Sequence, residues 1–412
     1  MKSVKDYNSY VKLIRAVVMV VVCFTVIYVV TLAGKSRINN YKSSEKSKQD
    51  DSSVIPEEDE EAYELPPRTL NTAVIPYDGK ERTVSCWGDS MMFGIGAGEA
   101  YVFGEDNVLD ISDWTTPYTL EYLTGIKVYN LGVAGETSNE IALRQGGIKM
   151  YADNTFEVGY DDSVEISIID EYGNPVYMAD FSAYGYVEPH ESDVVYINDD
   201  MFKITGTEET GLYICRYSEE EDVYDAFTTV YEGTQIVTKA AHERKNDILI
   251  LEIGSNGGWD NYRQLISQYD AMIQNVGCDY FIIVGDTDDP GTSIADTAQG
   301  FRNDDGTYVG VGDTAWEATL REAYGEHFIN MRTYLIENGL SDVGLRATKA
   351  DYRGFRRGRI SKQLRSDWTH FNSYGYYAKG LAIYAKGGGT RILEMMYRGI
   401  SLRSRNINEQ KR

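Results

Sequence analysis

Cysteine is scarce in this 412-residue sequence, which has four. Cys23 lies inside an apolar N-terminal run, Cys86 and Cys278 lie in or beside strand-like segments, and Cys215 stands alone in mid-chain. No Cys-x-x-Cys and no Cys/His spacing suggests zinc. The four read as buried thiols, a single Cys–Cys pair being the open alternative, and neither a metal nor a cofactor is expected. Histidine is as scarce, with His190, His242, His327 and His370, so imidazole chemistry has four places to come from. Positive charge is the third deficit. Lys and Arg number 40 against 64 Asp and Glu, a net charge of −24. A polyanionic surface repels nucleic acid, so no nucleic-acid partner is expected. For the rest, such acidity keeps a protein soluble.

The remaining composition is ordinary for a globular protein, 42% hydrophobic and 25% charged. The length suits two domains plus extras. Residues 1–15 are largely polar and carry Lys2, Lys5, Lys12 and Arg15. Residues 16–34 carry no charge, and as a helix they span roughly 28 Å, close to the hydrocarbon core of a bilayer. A cleaved signal peptide has a shorter apolar region, and Thr31-Leu32-Ala33 is a weak cleavage site. The run therefore reads as a signal anchor. Basic residues flank it on both sides, so the positive-inside rule is nearly balanced. A short cytoplasmic N-terminus is assigned because a long domain follows the first span. Residues 35–76 are polar, with a Glu57-Glu58-Asp59-Glu60-Glu61 run and Pro66-Pro67. They cannot bury enough apolar area to offset their ordering entropy, and they read as a disordered stalk.

From residue 77 the pattern becomes strand, turn, helix, over 77–145 and again over 235–400, with a tail at 401–412. Strands are expected at 83–87, 127–131, 247–253 and 280–284, and a last one within 327–335. Helices are expected at 114–123, 139–145 with Ser138 as N-cap, 235–244, 262–275 and 315–324. Such repeated units imply a parallel sheet covered on both faces. Between them, residues 146–234 break into short alternating runs, such as 164–169 and 193–197. Turn residues at 171–174, 198–199 and 205–206 separate the runs. This is the pattern of an inserted all-β module. It is rich in tyrosine, at positions 172, 177, 184, 186, 196, 213 and 217. Tyrosine stacks on sugar rings, yet it is also a common strand residue, and packing is the plainer reading. Residues 285–312 form a long loop, in which Asn303-Asp304-Asp305-Gly306 is most simply a hairpin turn.

The chemistry gathers just after predicted strands. Gly88-Asp89-Ser90, Gly135 and Asn256 each follow one, and ligands of parallel α/β sheets bind beyond the carboxyl ends of strands. Serine is a weak nucleophile until a base takes its proton. His370 differs from the other histidines in having Asp367 three residues before it. In a tight turn that carboxylate accepts the ring Nδ1–H and leaves Nε2 to face Ser90. Asp89 reads as bracing the turn. An Asp-x-x-His alone is usually a solvated turn; its weight here comes from its company.

Four blocks stand in order: Trp87-Gly88-Asp89-Ser90, Asn130 to Ser138 with Gly135, Gly254-Ser255-Asn256-Gly257, and Asp367-Trp368-Thr369-His370. With these the chain resembles the SGNH hydrolases, the GDSL-type esterase and lipase family, over about residues 83–145 and 235–395. Met91 stands where the family usually has leucine, and Gly257 where it more often has aspartate. The resemblance implies a flavodoxin-like three-layer α/β/α domain with a parallel sheet. It implies Ser90 as nucleophile, His370 as base and then acid, and Asp367 as its orienter. The Ser90 N–H, the Gly135 N–H and the Asn256 side chain would form the oxyanion hole. The activity implied is a membrane-anchored, extracytoplasmic serine esterase acting on O-acyl esters, chiefly O-acetyl, of carbohydrate or cell-wall polymers. An acyltransferase with the same triad and a glycan-binding protein with a silent hydrolase domain are the alternatives. Before the last block comes a basic run of Arg353, Arg356, Arg357, Arg359, Lys362 and Arg365. Arg356, Arg357 and Arg359 are its candidate substrate contacts, steering an anionic polymer; a solvated loop balancing nearby acid is an equal reading.

Overall fold

A strand that ends in Gly88 lies inside a five-stranded sheet, paired on both sides. The computed structural model describes residues 78–98, 114–159, 162–177, 194–217, 227–287, 309–367 and 369–386, with isolated positions between 70 and 76 and at 307. The anchor, almost all of the stalk, the tail, Cys23, His190, Tyr184, Tyr186, Trp368 and the Asn303–Gly306 turn lie outside the described residues. Among the described residues no helix is long and apolar enough to cross a membrane.

The chain is mixed α/β. In the main sheet β1 (Val84–Gly88), β2 (Val128–Gly132), β12 (Ile248–Glu252), β13 (Phe281–Val284) and β14 (Phe328–Ile329) run parallel in the order β14-β13-β12-β1-β2. Every residue of β1, β12 and β13 is buried, so both sheet faces are covered and the strands read as continuous apolar runs instead of alternating ones. The helices include α1 (Ser90–Phe93), α2 (Thr116–Thr124), α3 (Ser138–Gln145), α4 (Lys239–Glu243), α5 (Tyr262–Val276), α6 (Ala315–Tyr324), α7 (Lys349–Phe355) and α8 (Ser373–Lys386). They form two packed groups, α2 against α8, and α3 against α5 with α6 beyond it. The α5 sequence shows the cause. Leu265, Ile266, Tyr269, Met272, Ile273 and Val276 are buried at helical spacing, Asn261 caps the start by accepting from Gln264 N–H, and Gly277 ends it in the left-handed region.

The β module leaves after α3 and returns into α4. Its seven-stranded antiparallel sheet has the order β5-β9-β8-β7-β11-β3-β6, from Met150–Ala152 (β3), Ser163–Ile166 (β5), Ile168–Asp170 (β6), Val194–Ile197 (β7), Asp200–Thr207 (β8), Gly211–Arg216 (β9) and Gln235–Thr238 (β11). Phe156–Val158 (β4) and Thr228–Val230 (β10) pair separately. The first and last strands, β3 and β11, pair side by side, and the described residues from 70 to 386 belong to one compact unit.

Four local expectations are corrected. Residues 235–238 are strand, not the start of a helix. Ile236 and Val237 suit a pleated ribbon paired to β3 and β7, and the helix begins only after Thr238, whose hydroxyl accepts from Ala241 N–H. Thr137, not Ser138, caps α3, because a reciprocal capping box with Glu140 fixes the start one residue earlier. The 164–169 run is two strands, broken at Ser167, whose N–H donates to the Asn154 side chain. Thr205-Gly206 does not turn. β8 runs through it on a ladder with β9, and the turn falls at 208–210.

Candidate active site

Gly88 closes β1 where no side chain fits, since a Cβ there would stand 2.5 Å from the Glu252 carbonyl oxygen and 2.7 Å from Met92 Cβ. The close approach lets the chain turn sharply into α1. Asp89 caps that helix, its Oδ1 accepting from Met91 N–H at 2.9 Å, and Ser90 is its first residue, half-buried at the sheet rim. The strand order reverses between β1 and β12, so Ser90, after β1, and Asn256, after β12, both lie at the switch point where such sheets take ligands.

His370 arrives from a turn held at several points. Ser366 N–H donates to His370 O at 3.1 Å, and Asn372 N–H to Leu364 O at 3.1 Å. Asp367 Oδ1 accepts from the Thr369 N–H at 2.8 Å and the His370 N–H at 2.6 Å. Its other oxygen lies 2.8 Å from His370 Nδ1, and His370 Nε2 lies 2.9 Å from Ser90 Oγ. A carboxylate can only accept, so Nδ1 carries the hydrogen and Nε2 is the acceptor for the serine hydroxyl. Partial burial pushes the Asp367 carboxyl up, but the His370 ring and the two backbone donors outweigh it, and its pKa is lowered. Residues 280 apart in sequence are thus joined in one Ser–His–Asp chain of hydrogen bonds.

Asp89 is a brace, as expected, and a fuller one than its turn position indicates. Its Oδ2 accepts from the Ser255 hydroxyl and, at 3.4 Å, from Asn256 Nδ2. Burial is the largest influence on it and raises its pKa, against the Ser255 and Met91 donors. Asn256 also donates to Glu136 O at 3.1 Å, which ties the β12 loop to the loop bearing Gly135. Gly135 itself is exposed, with φ +84°, a conformation that favours glycine. Neither the Ser90 N–H nor the Gly135 N–H donates to another described residue.

Several residues that hold this array left no readable local signal. Glu136 and Arg144, both almost fully buried, pair through contacts of 2.6 to 3.0 Å. Arg144 also donates to Leu131 O at 2.9 Å. This pair locks the Gly135 loop onto α3. Beneath α1, Lys379 of α8 is fully buried against Glu252 of β12, with Met91 O 3.5 Å away. Ser255, Glu252 and Lys379 lie more than 100 residues from the partners named here, beyond any motif spacing.

Arg365 is a correction to the basic run. It is buried, donating to Thr369 O and Thr287 O at 2.9 Å each, with its guanidinium over the Phe371 ring. It braces the His370 turn and cannot steer a ligand. Arg353, Arg356, Arg357, Arg359 and Lys362 are exposed, on α7 and the segment after it. The His242 ring lies tilted against Tyr196, with centroids 4.3 Å apart. His327, in the turn after α6, is buried, stacked on Phe281 with Nδ1 on the Phe281 carbonyl at 2.9 Å. Cys86, Cys215 and Cys278 are free thiols. Among the described residues no group of three His, Cys, Asp or Glu side chains is set to hold a metal ion.

Comparison with protein-family models, with curated proteins and with solved structures returns no match for this chain.

Proposed function

We propose that this chain is a serine esterase of the SGNH class, with a flavodoxin-like three-layer α/β/α domain, hydrolysing O-acyl esters, chiefly O-acetyl, on carbohydrate or cell-envelope polymers. The observation that carries the reading is the Ser90–His370–Asp367 hydrogen-bond chain at the carboxyl end of β1. The parallel order β2-β1-β12-β13-β14 supports the fold assignment, because it has the 2-1-3-4-5 connectivity of flavodoxin-like sheets.

In this reading His370 Nε2 takes the Ser90 proton as Oγ attacks the ester carbonyl. The tetrahedral oxyanion is met by the free N–H groups of Ser90 and Gly135 and by the Asn256 amide. The second Asn256 hydrogen is loosely held, because 3.4 Å to Asp89 exceeds the usual 2.7 to 3.2 Å range. It is the one that turns to the oxyanion. His370 then protonates the leaving alkoxide, and water, deprotonated by the same imidazole, releases the acid from the acyl-serine. Asp367 stays ionised throughout and stabilises the imidazolium. The apolar run at 16–34, followed by the acidic stalk, supports an anchored protein with this domain outside the cytoplasm.

The test is hydrolysis of p-nitrophenyl acetate by the full-length protein in detergent. Ser90→Ala is expected to lower kcat by about 10⁴-fold or more. Equal rates in the two proteins would reject Ser90 as nucleophile.

A further inference from the structure

The loops that carry Gly135 and Asn256 continue past the serine into a second feature. Two residues further along each, Thr137 and Gly258 meet so closely that a Cβ at 258 would stand 2.8 Å from Thr137 Cβ. Both line one end of a groove of about 650 Å³, within the roughly 300–1,000 Å³ of small-molecule sites. The groove passes between α3 and α5, by Asn139 and Gln268, to the Asp170–Tyr177 hairpin of the β module. Ser90 does not line it; the groove leads away from the catalytic rim.

Three properties of its wall define a ligand. First, Tyr172 and Tyr177 line it while 74% and 43% exposed, and neither ring stacks on another described ring. Aromatic faces left in water beside a groove are platforms for flat, partly apolar rings. Second, Gln268 is 4% exposed and its Oε1 has no hydrogen-bond partner. Its Nε2 must be the atom that donates to Gly258 O at 2.8 Å, so the oxygen is the free acceptor. A buried acceptor without a partner is destabilising, and a ligand hydroxyl that reaches it relieves that cost. Third, Glu140, Asp170, Glu171 and Glu208 line the groove, and among the described residues no Lys or Arg does. That wall repels uronates and phosphates. The exposed arginines after α7 are not part of it.

We propose that this groove binds an uncharged glycan chain, its rings resting on Tyr172 and Tyr177 and one hydroxyl donating to Gln268 Oε1, and so presents an acylated sugar further along the chain to Ser90. The proposal rests on the esterase reading for the last step alone.

The experiment uses full-length Ser90→Ala protein in detergent, which cannot turn over ester. Its retention is measured on immobilised acetylated oligosaccharides, neutral ones (xylo-, manno- and chito-oligosaccharides) beside acetylated oligogalacturonate. The same is done after adding Tyr172→Ala with Tyr177→Ala, exposed positions whose loss leaves the thermal midpoint as a folding check. Expected are retention confined to neutral chains and a roughly tenfold weakening in the tyrosine variant, the size of two lost ring contacts. Retention of the uronate chain as strong as of the neutral ones, retention of no glycan, or retention indifferent to both tyrosines would overturn it. The p-nitrophenyl acetate assay of the unaltered protein reads the esterase claim separately. Glycan retention without any turnover there would leave the groove standing and remove the enzyme.

Discussion

Asn256 is the residue whose role is most exposed to test. Its amide is engaged by Glu136 O at 3.1 Å and more weakly by Asp89, so it ties two loops together, and in the proposed esterase it is an oxyanion donor as well. Loss of one such donor typically costs about 10²–10³ in kcat. Asn256→Ala should therefore lower kcat for p-nitrophenyl acetate by that factor with KM little changed, checked by steady-state kinetics. An unchanged kcat would take the asparagine out of the oxyanion hole. At this scale the sequence was generous with the chemistry and silent about its support. Ser90, His370 and Asp367 could be picked out because they sit in short blocks with fixed internal spacing. Glu136–Arg144, Glu252–Lys379 and Asp89–Ser255 could not, because a buried pair is specified by three-dimensional neighbours and each partner, seen alone, is an ordinary surface-type residue. Arg365 shows the same blindness from the other side. Its neighbours in the basic run are exposed, and only the fold turns it inward to two carbonyls.

At the scale of elements, β12 and α8 are joined by the Lys379–Glu252 pair. Burial, the largest influence, pushes the Glu252 carboxyl from its ordinary 4.5 up to about 7 despite the ammonium beside it. The folded chain then holds a proton that the unfolded chain has released between about 4.5 and 7. Stability contributed by this group therefore falls as pH rises across that window. Glu252→Gln with Lys379→Met removes both charges and should flatten that part of the profile. At pH 8 it is expected to be neutral or stabilising by about 1–4 kcal/mol, as for other buried pairs replaced by uncharged groups. Lys379→Met alone should destabilise by about 3–5 kcal/mol, because it strands a buried carboxylate. Urea unfolding at pH 5 and 8 reads both; a double variant with the slope of the unaltered protein would contradict the assignment. Most elements were legible, because the main-sheet strands are unbroken apolar runs and α5 has a clean helical stripe. The misses fell where local signals conflicted. Residues 235–238 adjoin helix-forming Lys239-Ala240-Ala241, but their strand partners β3 and β7 lie 41 to 86 residues away, where no window of sequence reaches.

For the whole molecule, the question is whether the β module is an appendage or part of one body. Thr238 donates to Arg144 O at 2.6 Å, and Lys149 to Asn275 Oδ1 at 2.8 Å, across the seam between module and helices. The account predicts one cooperative unfolding transition. All five tryptophans lie outside residues 146–238, so their fluorescence reports the α/β part, while alkylation of Cys215 reports the module. Coincident midpoints in urea are expected, and separated ones would make the module an independent domain. The central claim, that a serine and a histidine from opposite ends of the domain act as one nucleophile, is tested most directly by a fluorophosphonate probe and peptide mapping by mass spectrometry. The account predicts a covalent adduct on Ser90, abolished by prior denaturation and reduced by orders of magnitude in His370→Ala. An unlabelled Ser90 in the folded protein, or labelling undiminished without the imidazole, would contradict it.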